Sequence, residues 1–106
     1  MNANDASVIR DNPALSRIEA SVGADIGYAE YRLNSNTITF THTRVPETLR
    51  GRGIGTHLIE ASLAMARKRN LEVIPVCPFF RAYLRVHPDM QSLLGAEGRK
   101  LLAEPG

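Results

Sequence analysis

The chain predicts an α+β fold (α/β layered): a mixed sheet with an antiparallel meander and one parallel β-α-β crossover. Three observations carry this. Residues 17–45 contain three alternating or β-branched runs separated by short turns. Residues 54–69 carry one long pattern at helical spacing. A short apolar run, Glu72 to Val76, follows that helix. It completes a strand–helix–strand unit whose two strands should lie parallel.

At 106 residues the chain is one domain, long enough to bury a core without covalent staples. Residues 1–14 read as a loose polar leader without the apolar stretch of a signal peptide. Residues 15–94 form the domain, and 95–106 a polar tail. Arg17 to Val22 is the first strand, with Ile18, Ala20 and Val22 on one face. Gly23-Ala24-Asp25 is a turn. Ile26 to Leu33 alternates, placing Ala29, Tyr31 and Leu33 opposite Ile26, Tyr28 and Glu30. Asn34-Ser35-Asn36 closes a hairpin, since Asn tolerates the left-handed region. Thr37 to Val45 pairs back. In the Ile54–Arg69 helix, Thr56, His57, Glu60, Arg67 and Lys68 mark the polar side. The wide apolar arc of Ile54, Leu58, Ile59, Ala61, Leu63, Met65 and Ala66 suits burial against a sheet and a second neighbour. Asn70 suits its C-cap. Pro78 opens a second helix at its first position, with Phe80, Tyr83, Leu84 and His87 at helical spacing, and Pro88 ends it.

Charge excludes some classes. The net charge of +2 provides no large basic field for nucleic acid, although Arg50, Arg52, Arg67, Lys68 and Arg69 are locally clustered. A single cysteine rules out an internal disulfide and fits a reducing compartment, so a cytoplasmic protein is expected. No apolar run approaches membrane length. No cysteine–histidine cluster has metal spacing, so no metal is expected.

The densest signal is Arg50-Gly51-Arg52-Gly53-Ile54-Gly55, lying between a strand and a helix. Glycines let backbone approach a ligand, and the helix start leaves N–H groups unpaired. Together with Arg50 and Arg52 they make an anion site suited to a pyrophosphate. The dinucleotide fingerprint would need glycine where Thr56 stands, and the P-loop would need Gly-Lys-Ser/Thr, which is absent.

Arg50-x-x-Gly53-x-Gly55 instead resembles the acetyl-CoA loop of the GNAT superfamily of N-acetyltransferases. The surrounding residues, His42-Thr43-Arg44-Val45-Pro46 before it and Leu71 to Pro78, Tyr83 and His87-Pro88 after it, resemble a short single-domain branch. The likeness runs roughly from Ile18 to Leu94. It implies a truncated acyl-CoA N-acyltransferase fold, because the chain is too short for the superfamily's two further strands. It also implies acetyl-CoA as acyl donor and an amine acceptor of unknown identity. Cofactor contacts would come from Arg50, Gly51, Arg52, Gly53, Ile54, Gly55 and Thr56. The backbone of Thr43, Arg44 and Val45 would hold the pantetheine arm, with Cys77 and Tyr83 near the sulfur.

Acetyl transfer needs an amine without its extra proton, a polarised carbonyl and a leaving thiolate. Tyr83 is the expected proton donor to sulfur. His42 alternates with Ile38 and Phe40, which would put it on their face, and it could accept the amine proton. Glu30 is the second base candidate. Cys77, before Pro78, would sit at an N-cap, a position that favours thiolate, so a transient acyl-cysteine is conceivable. Direct transfer is preferred, since a thioester is already activated. His57 reads as solvated and His87 as a helix-end cap. Two other classes stay open: a non-catalytic CoA-binding module, and a small nucleic-acid binder using the clustered arginines. A monomer or weak homodimer is expected.

Overall fold

The computed structural model describes residues 8–104. Five strands lie in chain order across one sheet. β1 (Val8–Asn12), β2 (Arg17–Val22), β3 (Asp25–Asn34) and β4 (Thr37–Arg44) form an antiparallel meander. Helix α1 (Ile54–Lys68) then crosses over, and β5 (Glu72–Pro75) returns parallel to β4. Helices α2 (Pro78–Arg85) and α3 (Ala96–Ala103) follow.

One face of the sheet is covered. Ile18, Ala20, Ala29, Tyr31, Ile38 and Phe40 are buried there with Leu58, Leu63 and Ala66 of α1. Phe80 of α2 stacks on Phe40 with ring centroids 4.3 Å apart, a contact worth about 0.5–1.5 kcal/mol beyond its burial. Ser62 lies in the middle of the apolar arc and is buried. Its hydroxyl donates to the Leu58 carbonyl at 2.6 Å, which satisfies it within its own helix. Asn70 takes φ +56°, with Leu71 N–H bonded to Ala66 O and Asn70 N–H to Arg67 O. That pair of bonds is a Schellman ending, so Asn70 stands one residue past the cap. In the β3–β4 hairpin the left-handed residue is Ser35 (φ +54°), not an asparagine.

The opposite face is open. Among the described residues it carries only strand side chains, and of these Glu19 alone is buried. Arg17 donates to Glu19 at 2.7 Å, Asn12 donates at 3.1 Å, and Arg10 stands 3.7 Å away. These partners, the Arg17 bond first, hold the Glu19 carboxyl below its ordinary range against the opposing effect of burial. Arg17 also lies over the Tyr28 ring.

Two expectations are corrected at the ends of the chain. Residues 8–12, expected within a loose leader, form β1, which pairs with β2 along its whole length. Residues 1–7 lie outside the described part. The expected polar tail contains α3, and Gly98 packs so closely that a Cβ would stand 2.7 Å from the Val73 carbonyl. With the Val73–Leu94 bridge, α3 covers the outer edge of β5, an edge that would otherwise invite pairing with another chain.

A third correction bears on the site. The β3–β4 register shifts at Glu30/Tyr31, leaving Thr41 as an extra residue between Phe40 and His42. One inserted residue reverses the faces beyond it. Phe40 stands across from Tyr31 on the covered face, whereas His42 stands across from Glu30 on the open face. The alternation from Ile38 through Phe40 to His42 therefore breaks at Thr41.

Tyr31 joins the layers. Its hydroxyl donates to Asp11 at 2.6 Å, and Asp11 also pairs with Arg69 at 3.3 Å. Burial, and then the bond to Asp11, push the phenol up to about 12. A phenol raised in the folded state contributes stability in full below its unfolded value near 10. That contribution is lost as pH rises through the folded value. Wild type should therefore lose stability between pH 10 and 12, and Tyr31→Phe should flatten that decline in urea titrations taken across this range.

Candidate functional site

β4 and β5 pair only from Thr37–Glu72 to Phe40–Pro75. Cys77 N–H then donates to Phe40 O at 2.9 Å. Beyond that point, past the bulged Thr41, His42 to Arg44 pair with β3 alone. The strands part because Pro75 has no N–H to continue a ladder and Pro78, at the first position of α2, turns the chain into a helix. Cys77 is the N-cap of α2, buried, with Sγ 3.4 Å from Thr43 Oγ1.

The loop after β4 bends through a short 3₁₀ turn, Glu47–Leu49, whose Leu49 is buried and anchors it. Arg50 Nε reaches back to the Val45 carbonyl at 3.5 Å. The three glycines do different work. Gly51 and Gly53 adopt φ +81° and +75°, in the region where a side chain is strained. Gly53 is also the N-cap of α1, with no side chain to satisfy the helix start. The first intrahelical bond is His57 N–H to Gly53 O. The N–H groups of Ile54, Gly55 and Thr56 thus remain free to serve a ligand. Gly55 is needed for space: a Cβ there would stand 2.7 Å from the Phe79 ring.

These residues enclose a cavity of about 390 Å³, lined by Val45, Leu49, Arg50, Gly51, Gly53 to Thr56, and Phe79. Of the expected cofactor residues, Val45, Arg50, Gly51, Gly53, Ile54, Gly55 and Thr56 thus come together, while Arg52 is exposed outside the lining. Thr43 and Arg44 line a neighbouring cavity with His42. Glu30 stands across from His42, and Cys77 lies inward against Thr43.

Tyr83 sits one helical turn past Phe79. Its hydroxyl donates to Glu60 of α1 at 3.2 Å, and its ring stacks on His87 at 3.9 Å. Burial, followed by the Glu60 charge and hydrogen bond, raises its phenol. His87 Nδ1 meets the Tyr83 carbonyl at 2.8 Å, closing the end of α2. His57, expected in solvent, is half-buried with an unpartnered Nδ1. Phe79, like Leu49, is a lining residue that sequence reasoning missed. It is an apolar side chain beside a buried Phe80, and only its position four residues ahead of Tyr83 hinted at the same helix side. Among the described residues no cluster of three histidine, cysteine or carboxylate side chains is suited to a metal. No described helix is long and apolar enough to cross a membrane.

A mixed sheet with a parallel crossover, strands that part after it, and a glycine loop feeding a helix N-terminus define a class of acyl-transfer folds. Residues 17–93 match the family described as GCN5-related N-acetyl-transferase, and the chain belongs to that family. It is also similar to Protein NATD1 of Xenopus tropicalis, 31% identical over 58% of this chain and 56% of that protein. Protein NATD1 of Homo sapiens is 34% identical over 53% of this chain and 50% of its own length. The chain thus spans about half the length of the curated relatives it matches.

The Gly55–Phe79 contact is testable by its sign. Alanine for glycine inside an open helix stabilises by about 0.5–1 kcal/mol. In wild type, Gly55→Ala should gain nothing or destabilise, because the Phe79 ring must move. In a Phe79→Ala background the same change should show the normal gain. A double-mutant cycle in urea should give a coupling of about 1 kcal/mol, and additive effects would remove the contact.

Proposed function

We propose that the protein is an acetyl-CoA-dependent N-acetyltransferase that moves the acetyl group directly to an amine. The observation that carries this is the cavity at the start of α1, where three free N–H groups and Arg50 face one space. That combination suits a pyrophosphate. The parting of β4 from β5 leaves backbone groups of Thr43 to Val45 for the amides of the pantetheine arm, which would run from the loop toward Cys77 and Thr43. Phe79, 46% exposed at the cavity wall, offers an apolar surface to that arm.

In this reading the amine attacks the thioester carbonyl carbon, the C–S bond breaks and the thiolate leaves protonated. Tyr83, kept protonated by burial and by Glu60, is the proposed acid, and its bond to Glu60 would have to be exchanged for one to sulfur. A CoA thiol resembles a cysteine thiol, which leaves readily. Acid help is therefore modest, and Tyr83→Phe should lower kcat by about tenfold, below the usual range for general acids. Cys77, buried with Sγ 3.4 Å from Thr43 Oγ1, is assigned to the wall rather than to the chemistry in this reading.

Two measurements test the reading. Native mass spectrometry of wild type should show bound CoA or acetyl-CoA, and Gly53→Val, which forces a branched side chain into φ +75°, should abolish it while unfolding stays cooperative. Unchanged CoA affinity in a folded Gly53→Val variant would end the assignment. Cys77→Ala should keep most activity and give intersecting double-reciprocal lines. Parallel lines, one acetyl group on Cys77 and an inactive alanine variant, seen together, would make Cys77 the nucleophile.

A further inference from the structure

Three consecutive residues of β4, His42, Thr43 and Arg44, line one cavity of about 350 Å³. Successive strand side chains point to opposite faces, so a space touching all three lies along the edge of the strand. That edge is the one β5 has left, and its backbone is the part assigned above to the pantetheine arm, so an acceptor has the open-face side of this space, at the His42 and Arg44 side chains. The cavity shares Val45 and Arg50 with the glycine-loop cavity, so the two openings meet at the end of β4. Thr43 looks inward to Cys77, whereas His42 and Arg44 look out onto the open face across from Glu30 and Tyr28.

We propose that an amine bearing an anionic group binds at this outer edge, its anion on Arg44 and its ammonium between His42 and Glu30. This rests on the N-acetyltransferase reading and adds the class of acceptor and the side from which it enters. Charge decides the class. Of the other arginines on this face, Arg10 and Arg17 are engaged by Glu19, and Arg32, also without an ion pair, stands across from Thr39 and outside this cavity. Arg44 has no ion-pair partner among the described residues; Glu47, which lines the same cavity, does not reach it. The Arg44 side chain is on the face away from α1, so the donor's loop does not use it. A carboxylate or phosphate would satisfy its guanidinium with two parallel bonds. Two positions earlier, His42 faces Glu30, which attracts an ammonium. A doubly cationic amine would meet Arg44 as a like charge.

The step balances. The ammonium gives one proton to the His42 ring, and the freed amine attacks the thioester carbon. The N–C bond forms, the C–S bond breaks as Tyr83 protonates the departing thiolate, and the second N–H proton restores Tyr83. His42 then returns its proton to water.

The experiment compares β-alanine, O-phosphoethanolamine, propylamine and putrescine as acceptors for wild type and Arg44→Gln. Wild type should favour at least one anionic amine over propylamine by about tenfold or more in kcat/KM, as expected for a charge-assisted contact. Putrescine should be the poorest. Arg44→Gln should collapse that ratio toward one through the acceptor KM. A preference for propylamine or putrescine would overturn the proposal. So would a loss in Arg44→Gln confined to the KM for acetyl-CoA, which would assign Arg44 to the donor. Amide shifts, recorded with and without CoA, give a readout that needs no turnover. The two anionic amines should perturb His42–Arg44 and Tyr28–Glu30, and unmoved signals there would overturn the proposal. Absence of CoA binding would instead overturn the donor reading, with the acceptor map still read from the free protein.

Discussion

The hydrogen bond from Cys77 N–H to Phe40 O is the last backbone bond between β4 and β5, and the site is arranged around its being the last. Up to that bond the two strands are an ordinary parallel pair. Past it, β5 becomes α2 and β4 continues beside β3 alone. The parting sets the direction of α2, which lays Phe80 on Phe40 and brings Phe79 over Gly55. It also leaves the edge of Thr41 to Arg44 without a neighbour, in a protein that covers the outer edge of β5 with α3. On this side of the sheet the edge of β5 is covered and the stretch of β4 that β5 has left is open, and that stretch borders both cavities.

The bulge at Thr41 adds a second consequence. Without it, His42 would join Phe40 in the core, where a histidine would need a buried partner. With it, Thr43 turns inward to Cys77 while His42 and Arg44 turn outward. Adjacent residues of one strand thereby serve two faces, and only the missing β5 neighbour lets those faces communicate.

Local signals were legible in the sequence, and pairing-dependent ones were not. The glycine loop, α1 and the strand after it stand out because each is encoded by neighbouring residues. β1 does not: Val8-Ile9-Arg10-Asp11-Asn12 has no useful alternation, and it is held by pairing with β2 and by Asp11 meeting Tyr31 and Arg69. α3 was hidden by Gly98, which weakens a helix in isolation but lets this one approach the Val73 carbonyl. The bulge inserts one residue among Thr41, His42 and Thr43, all of which suit a strand, so nothing in their chemistry marks the slip. The candidate base His42 was thus identified by residue type and assigned to the wrong face. Gly55 has a further role the sequence did not mark, since the ring it accommodates belongs to a residue 24 positions later.

The charges show why a small net value says little about a site. Arg10, Arg17 and Arg69 are paired with Glu19 or Asp11, and they fasten β1 to the sheet and to the end of α1. Arg44, Arg50 and Arg52 have no ion-pair partner among the described residues, and all three fall between the end of β4 and the start of α1. Opposite charges that meet in the fold cancel locally, so the field that remains comes from the unpaired ones. A chain with a formal charge of only +2 can therefore present concentrated positive potential at one end of its sheet. That end also holds the free helix donors and the unpaired strand edge. Arg32, Arg67, Arg81, Arg85 and Arg99 also lack an ion-pair partner among the described residues, but none of them lines the cavity with the free helix donors, so an anionic ligand meets the most hydrogen-bond donors at the glycine loop.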